Sequence, residues 1–138
     1  MRPRYLLDTN TCIYILKGAP DSVLARFAAC SVGDTVMSAI TYAELVYGAE
    51  ISTSKNPAAD KKAVIALADA IPVQPLGAEI AQAYASIRKA APGRTAGALD
   101  RLIAAHAVAL RAIVVTNNEK DFMRYPGVKV ENWAQHRV

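Results

Sequence analysis

Residues 5–10, with the sequence YLLDTN, place an acid, a threonine and an asparagine at the end of a continuous apolar run. The run is too short and too uniformly apolar for an amphipathic helix, and it is typical of a strand that is buried on both faces. A surface turn explains Asp8 as well as the edge of a functional site does. A functional site predicts that further acids lie close to Asp8 in the folded protein, whereas a surface turn does not.

The composition indicates a globular protein. The chain has 138 residues, of which 53% are hydrophobic and 20% are charged. This predicts a single domain over residues 1–138 with a substantial core, and it argues against disorder. No apolar stretch approaches the roughly 18 to 20 residues of a membrane span, and the strand-like start is not expected to be a signal peptide. Cys12 and Cys30 are expected to be free thiols in a reducing cytoplasm.

The charge distribution gives a mild indication of an anionic partner. The formal net charge is +4, from 16 Lys and Arg against 12 Asp and Glu. Basic residues cluster at residues 61–62 and 88–89, with Arg94 nearby, and no acidic run balances them. Solvated helix faces and a nucleic-acid footprint both explain such clusters.

Strand-like and helix-like segments alternate along the chain, which predicts an α/β fold. The strand-like segments are RYLLD (4–8), TVMSAI (35–40), IPVQPL (71–76), AIVVTNN (112–118) and VKVENW (128–133). Pro72 and Pro75 lie in the third segment, which is therefore expected to be an edge strand. Strands separated by helices imply a mostly parallel sheet of about four to five strands with helices on its faces. Ligands of such sheets bind beyond the carboxyl ends of the strands, where Asp8 and residues 116–118 are expected to meet.

Three further acids follow predicted strands or begin predicted helices, and each has a local explanation as well. Glu44 forms a Thr-x-x-Glu pattern with Thr41, which is typical of a capping box. Asp100 and Asp121 lie in predicted first helical turns, where an acid is stabilised by the helix dipole. A functional role and a structural role therefore remain open for each of them.

Carboxylates gathered at one edge repel each other unless a cation lies among them. Carboxylate oxygens without His or Cys partners suit Mg²⁺ or Mn²⁺, and such sites support metal-assisted phosphoryl transfer. His106 lies within the apolar pattern of its helix, almost two turns from Asp100, which favours a packing or hydrogen-bonding role.

Five motifs in order resemble the PIN domain, and in particular the VapC toxin branch of type II toxin–antitoxin systems. The motifs are LLDTN, SAITYAELVYGA, LDRLIAAHA, VVTNNEKDF and VENW, and they run from residue 5 to residue 133. The resemblance implies an α/β/α sandwich. It also implies an Mg²⁺- or Mn²⁺-dependent endoribonuclease that is inhibited by a VapB antitoxin.

The resemblance also assigns the acids. It implies that Asp8, Glu44 and Asp100 are the catalytic residues and metal ligands, with Asp8 and Asp100 as direct ligands. Glu44 is then expected to position the attacking water or to complete the metal shell. Many PIN domains carry a fourth acid where this chain has Asn118, so Asp121 is expected to be a weaker metal ligand. Relatives of this branch commonly cut structured RNA and often cleave initiator tRNA.

Other functions fit the residues less well. A haloacid-dehalogenase-like phosphatase needs a second Asp where this chain has Asn10. A PIN domain that only binds RNA or docks a partner does not need intact acids. The expected partners are an RNA substrate, a VapB-type antitoxin and a second copy of the chain. Ile13, Tyr14 and Leu16 are expected to line a groove for the antitoxin helix and the homodimer face, and a place in the core explains them equally well.

Overall fold

A computed structural model describes residues 2–92 and 97–134 of the chain. The strands of the described part are β1 (Tyr5–Leu7), β2 (Thr35–Ser38), β3 (Val73–Gln74), β4 (Ile113–Val115) and β5 (Val130–Glu131). Its helices are α1 (Thr9–Lys17), α2 (Asp21–Ala28), α3 (Ala39–Glu50), α4 (Pro57–Ala70), α5 (Ala81–Ala90), α6 (Ala98–Leu110) and α7 (Glu119–Phe122).

The five strands form one sheet in the order β3-β2-β1-β4-β5, and every pairing is parallel. The predicted parallel sheet is therefore confirmed. The strand β3 lies at one edge, as expected from Pro72 and Pro75, whose missing N–H groups an edge tolerates. The strand β5 lies at the other edge, so the last predicted strand is confirmed as well.

Helices cover both faces of the sheet, because successive side chains of a strand point to opposite sides. Leu6 packs on one face with side chains of α5, α6 and α7, among them Ile87, Ile103 and Phe122. Tyr5 and Leu7 pack on the other face with side chains of α1 to α4, among them Cys12, Val23, Leu45 and Val64. The strand β1 is thus buried on both sides, which its unbroken apolar sequence requires. The architecture is the expected α/β/α sandwich.

The strand order reverses between β1 and β4. This reversal indicates where the candidate site lies. From β1 the chain moves outward on one side to β2 and β3, whereas β4 and β5 lie on the other side. Ligands of open α/β sheets bind in the crevice at the carboxyl ends of the strands at such a reversal. Asp8 follows β1 and Thr116 follows β4, so both residues lie at that crevice.

Two sequence-based expectations about the whole chain are testable on the described residues. Cys12 and Cys30 are free, with Cys12 buried and Cys30 half-buried, as expected. Within residues 2–92 and 97–134, no helix combines the length and the apolar character needed to cross a bilayer.

Candidate active site

Asp8 joins the central strand to the first helix. Its backbone N–H donates to the carbonyl of Val115 at 3.0 Å, which extends the pairing of β1 with β4 by one residue. Its carboxylate accepts from the N–H of Thr11 at 2.9 Å and caps α1. The side chain of Asp8 is buried at the carboxyl end of β1. Asp8 is therefore more than a surface turn residue.

Burial raises the pKa of Asp8. Hydrogen bonds from Thr116 and Thr11 oppose this shift, and the negative charge of Glu44 adds to it. A buried carboxylate next to another acid costs free energy in its charged form, and a cation nearby relieves that cost.

Glu44 lies in the first half of α3, and the structure excludes the capping box that its sequence suggested. The helix begins at Ala39 and is capped by Ser38, whose hydroxyl accepts from the N–H of Ile40 at 3.2 Å. Thr41 is therefore inside the helix, and Glu44 does not reach back to a cap. Instead the carboxylate of Glu44 accepts a 2.7 Å hydrogen bond from the hydroxyl of Thr9 on α1. Glu44 is thus directed toward the end of β1.

Asp100 lies in the first turn of α6 and is half-buried. Burial raises the pKa of Asp100, and the negative charges of Asp8, Glu44 and Asp121 raise it further, in that order. Because Coulomb interactions fall off with distance, this set of neighbours places the four acids around one region. Asp100 is thus affected by the charges of Asp8, Glu44 and Asp121, whereas their shared role in one site stays a prediction.

Asn118 links two of the acids. Its side-chain amide donates to the carboxylate of Asp121 at 2.9 Å, and its hydrogen bond to Asp100 opposes the rise in the pKa of that carboxyl. The other oxygen of Asp121 accepts from the guanidinium of Arg124 at 3.1 Å. Both oxygens of Asp121 are therefore engaged. Asn118 also occupies the N-cap position of α7, although its side chain makes no capping hydrogen bond.

His106 has the structural role that its apolar surroundings suggested. It is buried, and its Nδ1 lies 2.8 Å from the hydroxyl of Ser38. Burial lowers the pKa of His106, so the neutral imidazole is favoured. The contact joins α6 to the N-terminus of α3, which are the helices that carry Asp100 and Glu44.

The donor set suits a hard divalent cation. Asp8, Glu44, Asp100 and Asp121 offer carboxylate oxygens, which Mg²⁺ and Mn²⁺ favour. Among the described residues, however, no three His, Cys, Asp or Glu side chains form a group that could hold a metal ion. Mg²⁺ keeps several of its waters and is commonly held by one or two carboxylates. Burial, and then neighbouring negative charge, raise the pKa values of Asp8 and Asp100. A cation relieves both costs, so pairs of these carboxylates fit such an open site.

Two depressions flank the acids. A polar cavity of about 540 Å³ is lined by Asp100 and Asp121 together with Arg101, Arg124 and Tyr125. A more apolar groove of about 330 Å³ runs between α1, α3 and α4 and has Glu44 in its lining. The first volume lies in the range of small-ligand pockets. The acids therefore lie between a polar cavity and an apolar groove.

Sequence reasoning did not single out Thr9 or Arg124. The pairing of Arg124 with Asp121 is readable from their three-residue separation near a short helix. The contact of Thr9 with Glu44 spans 35 residues and depends on how α1 packs against α3, so no local pattern predicts it. Tyr14 also differs from expectation. Its hydroxyl accepts from the amide of Asn117 at 2.7 Å, so Tyr14 contacts the end of β4 and does not line the groove.

Comparison with known proteins shows the class to which this chain belongs. The family model of the PIN domain matches residues 5–128. The tRNA(fMet)-specific endonuclease VapC of Shigella flexneri is 36% identical over 133 residues, covering 95% of this chain and 98% of that protein. Ribonuclease VapC2 of Rickettsia felis is 34% identical, covering 94% and 97%.

A solved structure agrees with these relatives. The crystal structure of VapBC2 from Rickettsia felis bound to a DNA fragment from their promoter superposes with a TM-score of 0.80 at 31% sequence identity. The superposition covers 94% of this chain and 98% of that chain. The chain belongs to the PIN-domain family and, within it, to the VapC ribonucleases.

Proposed function

We propose that this chain is the toxin of a type II toxin–antitoxin system, a metal-dependent endoribonuclease that a VapB-type antitoxin inhibits. One observation carries the proposal. Four acids from four separate segments gather at the carboxyl ends of β1 and β4, and the pKa values of Asp8 and Asp100 are raised there. Such an arrangement is costly for the fold, and a bound cation with a phosphate substrate explains why it is kept.

The roles we propose for the acids follow from their surroundings. Asp8 and Asp100 hold the cation, because they carry the excess charge that a cation relieves. Glu44 is held by Thr9 and orients the attacking water or completes the coordination shell. Asp121 shares its charge with Arg124, so it contributes less than the other three.

PIN-domain ribonucleases are generally metal-dependent, and the donor set here favours Mg²⁺ or Mn²⁺. Such a cation supplies charge stabilisation at the phosphate and favours ionisation of the attacking water. The protein itself positions the carboxylates on a rigid sheet edge, and the polar cavity beside Asp100 receives the substrate backbone. Attack by water leaves the RNA 2′-hydroxyl unused, so products carry 5′-phosphate and 3′-hydroxyl ends.

For the substrate we propose a structured RNA, with initiator tRNA as the first candidate. The Shigella flexneri relative is a tRNA(fMet)-specific endonuclease. Single-stranded loops of folded RNA expose the bases and backbone that proteins read most readily. An anticodon loop is such a target.

The test is to produce the chain without its partner and to map the 5′ ends of the RNA fragments that appear in the cell. We expect fragments from one or a few RNA species, and we expect them to disappear with Asp8→Asn. That variant also addresses the rival function, a PIN domain that binds RNA without cutting it. Equal fragment patterns from the wild type and Asp8→Asn would favour the rival.

The apolar groove supports the proposed antitoxin partner. It is lined by Ile13, Leu16, Leu45 and Val64, with Glu44 also in the lining. An amphipathic helix binds such a groove through its apolar face. A partner segment that leaves the groove beside Glu44 is well placed to insert an Arg or Lys among the acids, where it pairs with the carboxylates and displaces the cation. The similar structure from Rickettsia felis is that of VapBC2.

Two alanines of α4 provide a matched test of this groove. Ala63 lines it, whereas Ala66 is also exposed on α4 and does not line it. We expect Ala63→Trp to reduce copurification with the product of the adjacent small gene, while Ala66→Trp leaves it unchanged. Equal copurification of both variants would exclude the groove as the docking site. We further propose a homodimer in the bacterial cytoplasm, which the mass of the purified chain and of the complex tests.

A further inference from the structure

A second concentration of charge lies at the amino ends of the strands, at the opposite end of the sheet from the acids. Arg4 directly precedes β1, Lys129 directly precedes β5, and Arg111 lies two residues before β4. These strands are adjacent and parallel, with Tyr5 paired to Ile113 and Val114 paired to Val130. The three cations therefore lie at the amino ends of three neighbouring strands, spread over two interstrand spacings of about 4.8 Å each. With Arg2 they form what we call the basic edge.

The basic edge borders a cavity of about 620 Å³ that Arg2, Arg4, Arg111 and Lys129 line together with one acid, Asp34. Four cations and one carboxylate leave three formal positive charges around the cavity. The carboxylate of Asp34 accepts from the N–H of Ser31 at 2.9 Å, so it is partly engaged in its own turn.

The cations of the basic edge are exposed, and Asp34 offsets only one of their four charges. Ion pairs within the described part of the chain join Arg26 to Glu131, Lys61 to Glu50 and Arg124 to Asp121, and none involves the basic edge. Like charges that outnumber the nearby counter-charges raise the local potential and attract polyanions.

Arg111 adds an independent indication that its side chain is used. It follows α6 with φ of 57°, in the left-handed region. At this position after a helix glycine is the favoured residue, because a side chain is strained there. An arginine at a position that favours glycine points to a role for the guanidinium.

The two edges differ in how they interact with RNA. The acid edge, which we define as Asp8, Glu44, Asp100 and Asp121, repels phosphates unless a cation is bound. The basic edge needs no metal ion to attract them. We propose that the basic edge is a second RNA-binding surface, which holds the phosphodiester backbone of the substrate remote from the cleavage point and independently of metal. The inference rests on the proposed function, because it takes RNA as the polyanion.

The test measures binding of fluorescently labelled, unfractionated tRNA to the full chain in EDTA, over a series of KCl concentrations. The test variant combines Arg4→Gln, Arg111→Gly and Lys129→Gln. The control combines Lys55→Gln, Lys61→Gln and Lys62→Gln, which remove the same charge from exposed positions at or near the start of α4.

We expect the test variant to bind tRNA at least about tenfold more weakly at low salt. Its slope of log affinity against log salt should fall by about one per lost cation. The control should change affinity less than about twofold. The single variant Arg111→Gly should keep or raise the melting temperature, since glycine relaxes the left-handed position, so weaker binding by this variant is not a folding defect.

Several outcomes would overturn the inference. These are equal tRNA binding by the test variant and the wild type, equal losses in the test and control variants, or no wild-type binding in EDTA. A test variant that binds tRNA normally but loses the antitoxin would assign the basic edge to the protein partner instead. Cleavage of a short unstructured RNA with Mn²⁺ reports separately on the proposed nuclease, because such an RNA reaches only the acid edge.

Discussion

The hydroxyl of Thr9 donates a 2.7 Å hydrogen bond to the carboxylate of Glu44, across 35 residues of sequence. The same hydroxyl lies 3.3 Å from the hydroxyl of Thr41, one turn earlier on α3. Because Thr9 directly follows Asp8, this contact fixes the distance between two of the acids through a single peptide unit. Thr9 is therefore a positioning residue for Glu44.

Thr9→Val keeps the shape of the side chain and removes the hydroxyl. Loss of a group that orients a metal ligand typically weakens metal affinity or activity by about tenfold to a hundredfold. We expect a rise of that order in the Mn²⁺ concentration that gives half-maximal RNA cleavage, and we expect Thr9→Ser to restore it. The control is Thr35→Val, which makes the same change at the buried first residue of β2. An unchanged Mn²⁺ requirement in Thr9→Val would show that Glu44 needs no such support.

Asp8→Asn is expected to stabilise the metal-free protein at neutral pH. The pKa of Asp8 is higher in the folded state, so the folded state binds the proton more tightly. Stability then decreases as the pH rises from the ordinary aspartate pKa of about 4 through the raised value. Asparagine removes the charge and remains a good helix N-cap. The melting temperature in EDTA should therefore be higher for Asp8→Asn at pH 8 and similar to the wild type near pH 4. A lower melting temperature at pH 8 would contradict this prediction.

RNA cleavage should require a divalent cation and should produce 5′-phosphate ends. EDTA should abolish cleavage and added Mn²⁺ should restore it, because the acids offer no metal-free nucleophile. The product ends are checked by ligation, which needs a 5′-phosphate and a 3′-hydroxyl. Mn²⁺ should also raise the melting temperature of the wild type more than that of Asp8→Asn. Products with 2′,3′-cyclic phosphates would indicate attack by the RNA itself.

Asp121→Ala should reduce cleavage only partly, and clearly less than Asp8→Asn does. Asp121 is half-buried, and its carboxylate is already engaged by Asn118 and Arg124. Its removal lowers the negative charge near Asp100, which partly offsets a lost metal contact. The comparison uses single-turnover cleavage rates at saturating Mn²⁺. A loss as large as that of Asp8→Asn would make Asp121 an equal member of the site.

The strand ends were predictable from the sequence because they depend on patterns of a few residues. The apolar run before Asp8 and the polar residues after β4 are enough to place both at the carboxyl edge of a parallel sheet. The start of α3 was not predictable in the same way. Thr41 and Glu44 have the spacing of a capping box, and only the position of Ser38 at the end of β2 shows that the helix starts earlier.

Contacts between distant segments were beyond prediction for a related reason. Glu44 is directed by Thr9, and Tyr14 contacts Asn117, because helices pack on the sheet at particular angles. The apolar pattern of α1 says which face is buried, and it does not say which neighbour each side chain meets. The resemblance to known nucleases indicated which acids belong together, whereas the hydrogen bonds that hold them became visible only in the folded protein.

The triple role of Asp8 restricts the mutational routes by which a cell escapes this protein. Asp8 ends β1, caps α1 and contributes an acid, so most replacements remove a helix cap together with the charge. Loss of such a cap costs about 1 kcal/mol, and the chain then becomes a target for degradation. Asparagine alone keeps the shape of aspartate and the cap. Survivors that still contain normal amounts of the protein should therefore carry Asn or another capping residue at position 8, whereas survivors with residues that cannot cap a helix should contain less of it.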